Sequence, residues 1–297
     1  LRGKRSAVDL VLTALFARGH LLIEDVPGVG KTTLARALAQ SIEGSFRRIQ
    51  FTSALLPSDI IGTAIFRREQ SDFEFRPGPI FANVVLADEI NRTTPKTQSS
   101  LLEAMNEYQV SVDGVSHELP RPFIVVATQN PHEFYGTYPL PESQLDRFML
   151  RIRLGYPEAD VERSIINRGR TSTEISSTLE PVITGEEVVE LQDAVDDVAF
   201  DDALLDYLME IVTATRTSNL VELGLSTRGA MMLHRAAKAY ALVQGRDYCL
   251  PDDIKRMILP AAAHRIVPAG QGDRGIQDRI TSERTLRDLV KSVSVPV

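Results

Sequence analysis

A single cysteine, Cys249, stands in 297 residues, so no disulfide can close within the chain and a reducing compartment fits. No run of eighteen or more apolar residues occurs, which leaves nothing long enough to span a membrane as a helix. A signal-peptide pattern is also missing, and a cytoplasmic location is the expectation. Because the chain begins at Leu1 rather than Met, an upstream segment stays open. Lys and Arg are not in surplus: the formal net charge is -7 and the pI about 5.4. That balance weighs against broad nonspecific nucleic-acid binding, although a local basic patch would survive the average. The pairs Arg47-Arg48 and Arg67-Arg68 are too short to form one. His20, His117, His132, His234 and His264 have neither metal-ligand spacing nor a nucleophile beside them. No internal repeat or low-complexity segment appears.

What is present is ordinary for a folded protein of two domains, with 43% hydrophobic and 25% charged residues. Short apolar runs alternate with helical patterns through the first half, which predicts an α/β fold around a parallel sheet. Strands are expected over 20–26, 46–52, 83–90, 123–130 and 148–154, and helices over 31–42 and 96–107. The runs "LLIEDV", "VVLADEI" and "FIVVATQN" are continuous rather than alternating, as strands buried on both faces require. Two interruptions, 66–81 and 108–120, read as inserted β-hairpins, the second around the turn dipeptide Asp113-Gly114. Beyond Gly155-Tyr156-Pro157 no strand runs stand out. Helical spacing marks 158–168, 185–195, 201–217, 226–244, 251–264 and 282–292. The expected boundary therefore divides residues 1–157 from a small all-α domain, 158–297.

Two elements carry chemistry. "LLIEDVPGVGKTTLARAL" reads as strand, tight loop and helix. In such a loop the backbone N–H groups of Pro27–Thr33, proline excepted, and the helix N-terminus converge on a phosphate. Gly28 and Gly30 permit the tight turn around Val29, Lys31 reaches the β- and γ-phosphates, and Thr32, followed by Thr33, offers a hydroxyl to Mg²⁺. Asp25 occupies the position where the usual pattern has its first glycine. The second element, "NVVLADEINR", ends an apolar strand in Asp88-Glu89. Asp88 can hold Mg²⁺ and Glu89 can orient the water that attacks the γ-phosphate, provided the two strands are neighbours. No Asn-Lys-x-Asp motif for guanine appears, so ATP is the expected nucleotide.

These elements, together with "LADEINRTTPKTQSSLLEAMNEYQVSVDG", "FIVVATQNPHEFYGTYPLPESQLDRFMLR" and "LSTRGAMMLHRAAKAYALVQGRDYCLPDDI", resemble the MoxR family of AAA+ ATPases over nearly the whole chain. The resemblance implies a P-loop core with a five-stranded parallel sheet and a helical lid. The inserts correspond to this clade's helix-2 insert and pre-sensor hairpin. It also implies roles. Asn130 matches the first sensor, although on residues alone it reads equally as a turn residue before Pro131. Arg147 in "QLDRF" matches the arginine finger that enters a neighbouring subunit's site, and Arg228 in "STRGA" matches the second sensor. A ring, as a hexamer, and a client or adaptor protein are implied; such partners often carry von Willebrand factor A domains. The function expected is chaperone-like remodelling, maturation or cofactor insertion driven by ATP hydrolysis. A chelatase-like motor subunit and a nucleic-acid motor remain alternatives. The hairpin "QVSVDGVSHEL" bears Asp113 and Glu118 but no Lys or Arg, which speaks against the latter.

Overall fold

The computed structural model describes residues 3–68, 71–131, 136–168, 179–270 and 276–296. His132 lies outside the described residues. The five expected core strands form one sheet in the order β2-β5-β8-β1-β9. They are β1 (Leu21–Glu24), β2 (Phe46–Gln50), β5 (Val84–Asp88), β8 (Ile124–Gln129) and β9 (Leu150–Ile152). Each is shorter than its apolar run, because the run continues into loop residues at the strand ends. All of β1 and β8 is buried, as are the first four residues of β5, which accounts for their unbroken apolar character. β2 lies at the sheet edge and exposes Arg47 and Arg48 while burying Ile49. It runs parallel to β5 with Gln50 opposite Asp88, and β5 runs parallel to β8 with Ala87 opposite Ala127.

Two compact units emerge from the chain's internal contacts. The first comprises Leu1–Arg5, Leu22–Leu140 and Arg153–Val189. In it, α2 (Lys31–Ser41) buries Leu34, Ala35, Leu38 and Ala39, and α4 (Pro95–Glu107) buries Leu101, Leu102, Ala104 and Met105. Both hairpins are present. β6 (Gln109–Val112) and β7 (Val115–Glu118) meet at Asp113 and Gly114, both at positive φ, as a tight hairpin turn needs. The other hairpin begins earlier than expected: β3 (Gly62–Arg67) pairs with β4 (Asp72–Pro77), so the apolar "TAIF" is its first strand. Gly78 and Pro79 follow the second strand, which ends at Pro77. Five-residue α3 (Pro57–Ile61) runs directly into β3. Phe75 and His117 stack at 3.8 Å, joining the two hairpins.

The second unit comprises Ser6–Leu21, Pro141–Ile152 and Glu190–Val297. Its first helix, α1 (Arg5–Phe16), buries Ala7, Val11, Ala14 and Leu15. Further along come α5 (Glu142–Leu145), α6 (Ala159–Arg168) in the first unit, and α7 (Gly185–Asp197). The helical core is built from α8 (Asp202–Thr217), α9 (Thr227–Val243), α10 (Pro251–Ala262) and α11 (Ile276–Ser292). Tyr207, Leu208 and Ile211 of α8, Leu233, Ala236 and Ala237 of α9, and Ile254, Met257 and Ile258 of α10 are buried. Local capping fixes the starts: Asp201 accepts from the Ala203 N–H at 2.8 Å and Ser226 from that of Gly229 at 3.0 Å. Asp253 accepts from the Leu250 N–H at 2.7 Å and from Arg246 at 2.6 and 2.8 Å. A short antiparallel ladder, β10 (Val221–Leu223) with β11 (Val267–Pro268), adds strand structure where helices alone were expected. Strands of three and two residues carry no periodicity to read.

Candidate active site

The loop after β1 carries Pro27 and Gly28 exposed, Val29 buried, and Gly28 and Gly30 at φ 85° and 96°. A side chain at either glycine would meet the left-handed penalty, so the sequence needs glycine at both. Helix α2 begins immediately at Lys31, with Thr32 and Thr33 half-buried in its first turn. The Lys31 ammonium donates to the Asp25 carbonyl at 2.7 Å, which holds it across the loop. The chemistry of this segment is that of an anion site: the backbone N–H groups of a glycine loop, a helix N-terminus and a lysine.

Asp25 explains its own departure from the glycine pattern. Its Oδ1 accepts from the Val26 N–H at 2.9 Å, and its Oδ2 accepts from the N–H groups of Leu154 and Gly155 at 2.7 and 2.6 Å. The carboxylate therefore ties the loop to the chain leaving β9, a task glycine cannot perform.

Strand order corrects one expectation. β5 and β1 are not neighbours, because β8 lies between them. The ends of all three are nonetheless stitched together through β8. The Asp25 N–H donates to the Gln129 carbonyl at 3.2 Å. One residue earlier, the Thr128 hydroxyl donates to Asp88 Oδ1 at 2.5 Å and accepts from the Glu89 N–H at 2.9 Å. Asn130, buried, follows directly. Lys31, Thr32, Asp88, Glu89 and Asn130 thus lie in one unit, at the carboxyl ends of parallel strands where open α/β sheets bind ligands.

Sequence reasoning missed the polar shell around the two acidic residues. Arg48 donates to Asp88 Oδ2 through Nε at 3.1 Å and Nη2 at 2.6 Å, and Nη2 also reaches Gln50 Oε1 at 2.7 Å. Gln50 Nε2 donates to Glu89 Oε2 at 3.0 Å, and Arg92 Nε lies 3.2 Å from the same oxygen. The available signal was the alternation in "FRRIQ", which puts Arg48 and Gln50 on one face of β2. Glu89 itself sits at φ 58°, ψ 51°, a left-handed conformation uncommon for a side-chain-bearing residue. Buried Gln98 stabilises the turn that follows, donating to the carbonyls of Ile90 at 3.1 Å and Tyr138 at 3.0 Å.

Arg147 and Arg228 belong to the second unit. Arg147 is half-buried just beyond α5, whereas Arg228 is exposed in the first turn of α9. Asp146 lies between them, its Oδ2 3.7 Å from Arg228 Nε. Its Oδ1 accepts from Arg265 Nε at 2.8 Å. Burial lowers the Arg265 pKa to about 10, a fall opposed by the Asp146 carboxylate. Next to it, burial and the cations Arg265 and Arg151 hold His264 well below the usual imidazole value. Neither Asp146 nor Arg265 was singled out from sequence; their separation of 119 positions hides the pair.

Residues 20–150 match the ATPase family associated with various cellular activities (AAA), and residues 213–288 match the AAA lid domain. An uncharacterized protein of Bacillus subtilis, YeaC, is 51% identical, covering 99% of this chain and 91% of its own length. Chaperone MoxR1 of Mycobacterium tuberculosis is 40% identical, covering 99% of this chain and 79% of its own. A crystallised protein from Cytophaga hutchinsonii superposes with a TM-score of 0.86 at 35% identity, covering 99% of this chain and 91% of that one. These likenesses run through both units, and the chain is a member of the MoxR family of AAA+ ATPases.

Proposed function

We propose that this ATPase hydrolyses Mg-ATP at the interfaces of a ring, most simply a hexamer, and uses the cycle to remodel, mature or insert a cofactor into a partner protein. The observation that carries the reading is the glycine loop and the Asp88-Glu89 strand end meeting through Thr128 and Gln129 at one end of the sheet. Residues 1–157 supply the nucleotide-binding domain and 158–297 the lid. The chaperone name of one 40%-identical relative supports the client role, and a von Willebrand factor A protein is the adaptor class we put forward. Among the described residues no helix is long and apolar enough to cross a membrane, and we place the work in the cytoplasm.

The roles follow from residue chemistry. The amides of Gly28 through Thr33 hold the phosphates, with Lys31 moving from the Asp25 carbonyl to the β- and γ-oxygens. Thr32 and Asp88 are hard oxygen donors that suit Mg²⁺, which neutralises phosphate charge when bound. Arg48 and Thr128 already orient the Asp88 carboxylate. Glu89 positions the attacking water and accepts its proton, Asn130 aligns it, and Arg147 and Arg228 stabilise charge on the departing γ-phosphoryl group. Phosphate release by wild type and Glu89→Gln tests the assignment. The variant is expected to retain ATP binding and lose turnover by at least about 100-fold, the upper end of what one proton-transfer group contributes being larger. Equal rates for the two proteins would refute it.

A further inference from the structure

The Asp146–Met149 segment is held by an unusual clamp. Arg265, its side chain only 2% exposed, aims its donors at the backbone on both sides of Arg147. Nη2 donates to the carbonyls of Asp146 at 3.0 Å and Phe148 at 2.7 Å, and Nη1 to that of Met149 at 3.2 Å. Nη1 also donates to the Ala261 carbonyl of α10, which fastens the clamp to a helix. Nε takes the Asp146 carboxylate, and His264 Nε2 lies 2.9 Å from the Phe148 carbonyl. All these groups lie in the second unit.

Four contacts of one guanidinium therefore go to the residue before Arg147 and the two after it, beside those to Ala261, His264 and Met232. Burying a cation is unfavourable unless it is paired and fully hydrogen-bonded, and this one is both. A hydrophobic side chain would fill the volume without fixing three carbonyls. One oxygen of Asp146 holds the clamp and the other lies 3.7 Å from Arg228 Nε.

We propose that Arg265 and Asp146 are positioning residues for ATP turnover: together they set the backbone that presents Arg147. The inference rests on the reading of Arg147 as an arginine finger acting across a subunit interface. Neither residue touches the nucleotide in this account. Their effect passes through Arg147, and misplacement of a catalytic group by about 1 Å can lower a rate about 100-fold.

Arg265→Lys keeps a positive charge but cannot span the three carbonyls. It is expected to bind a fluorescent ATP analogue within about twofold of wild type while kcat falls about 100-fold. A second readout separates positioning from general damage. Arg265→Lys subunits retain their own phosphate loop and Glu89, whereas Glu89→Gln subunits retain their own finger. Co-assembled rings of the two are expected to turn over faster than either parent, as are control rings of Arg147→Ala with Glu89→Gln. If the control recovers activity and the Arg265→Lys mixture does not, the inference is overturned. Recovery in neither mixture overturns the interfacial reading and the inference with it. An unchanged kcat, or a loss of nucleotide binding as large as the loss of rate, also refutes the positioning role. Should Arg265→Lys fail to fold, Asp146→Asn, which preserves shape and removes the charge, is read by the same binding, kcat and mixing criteria.

Discussion

Asp25 links two segments that the sequence places 129 and 130 positions apart, through its hydrogen bonds to Leu154 and Gly155. Asp25→Gly would restore the common phosphate-loop pattern yet remove the acceptor for both N–H groups. We expect a loss of about 1–3 kcal/mol in denaturant unfolding, the usual scale for stranding such groups, together with weaker nucleotide binding. Wild-type stability in the variant would show that the tie is dispensable. His264 makes a prediction about pH. Burial, then Arg265 and Arg151, depress its folded pKa well below 6.5, while the Phe148 carbonyl opposes the shift. Well above pH 6.5 the imidazole is neutral whether folded or unfolded, so it contributes no pH dependence there. As pH falls below 6.5 the unfolded chain takes up the proton first, and stability declines toward the folded pKa by up to about 1.4 kcal/mol per pH unit. His234, lowered by burial, Lys238 and Arg235, adds a decline of the same sign. Unfolding measured from pH 8 to 5 should show a shallower slope for His264→Gln than for wild type; equal slopes would remove His264 as a cause.

The elements legible in the sequence are those whose burial is uniform along the run. β1, β5 and β8 are covered on both faces, so "LLIE", "VVLA" and "IVVA" announce themselves. α1 carries Ala7, Val11, Ala14 and Leu15 at helical spacing but offers weak start and stop signals, with no acidic first-turn and no basic last-turn residue. The β3–β4 hairpin starts ahead of residue 66, where the sequence points, because β3 is largely exposed and its apolar residues follow no simple alternation. Its position is set instead by Gly62, at φ 98°, ψ -177°, a region essentially restricted to glycine. A Cβ there would stand 2.3 Å from the Arg76 carbonyl oxygen and 2.6 Å from the Gly78 nitrogen, both backbone atoms. Gly62→Ala is expected to cost about 1–3 kcal/mol from backbone strain alone, before the clash is counted. Hydrogen exchange should show faster opening of the β3 and β4 amides, and wild-type protection there would contradict the assignment. The site's outer shell was hidden for a related reason. Arg48 and Gln50 acquire partners only when β2 lies against β5, and Arg265 only when α10 meets the segment before β9.

At the scale of the whole molecule, the proposed chemistry divides its labour between chains. Lys31, Asp88, Glu89 and Asn130 lie in the first unit, and Arg147 lies in the second. An arginine finger is useful only if another subunit presents nucleotide to it, so the specific ATPase rate should depend on assembly. We expect light scattering to report a ring in the presence of a nonhydrolysable ATP analogue, and the rate per chain to fall when wild type is diluted below its assembly concentration. Arg147→Ala should still assemble and bind ATP, yet hydrolyse it about 10³–10⁵-fold more slowly, the range over which trans-acting arginines contribute. Dilution then distinguishes the mechanisms: a site complete within one chain has the same specific rate at every concentration, whereas an interfacial site does not. A monomer that hydrolyses ATP at full rate under all nucleotide conditions would dismiss the ring mechanism, even if Glu89→Gln behaves as proposed.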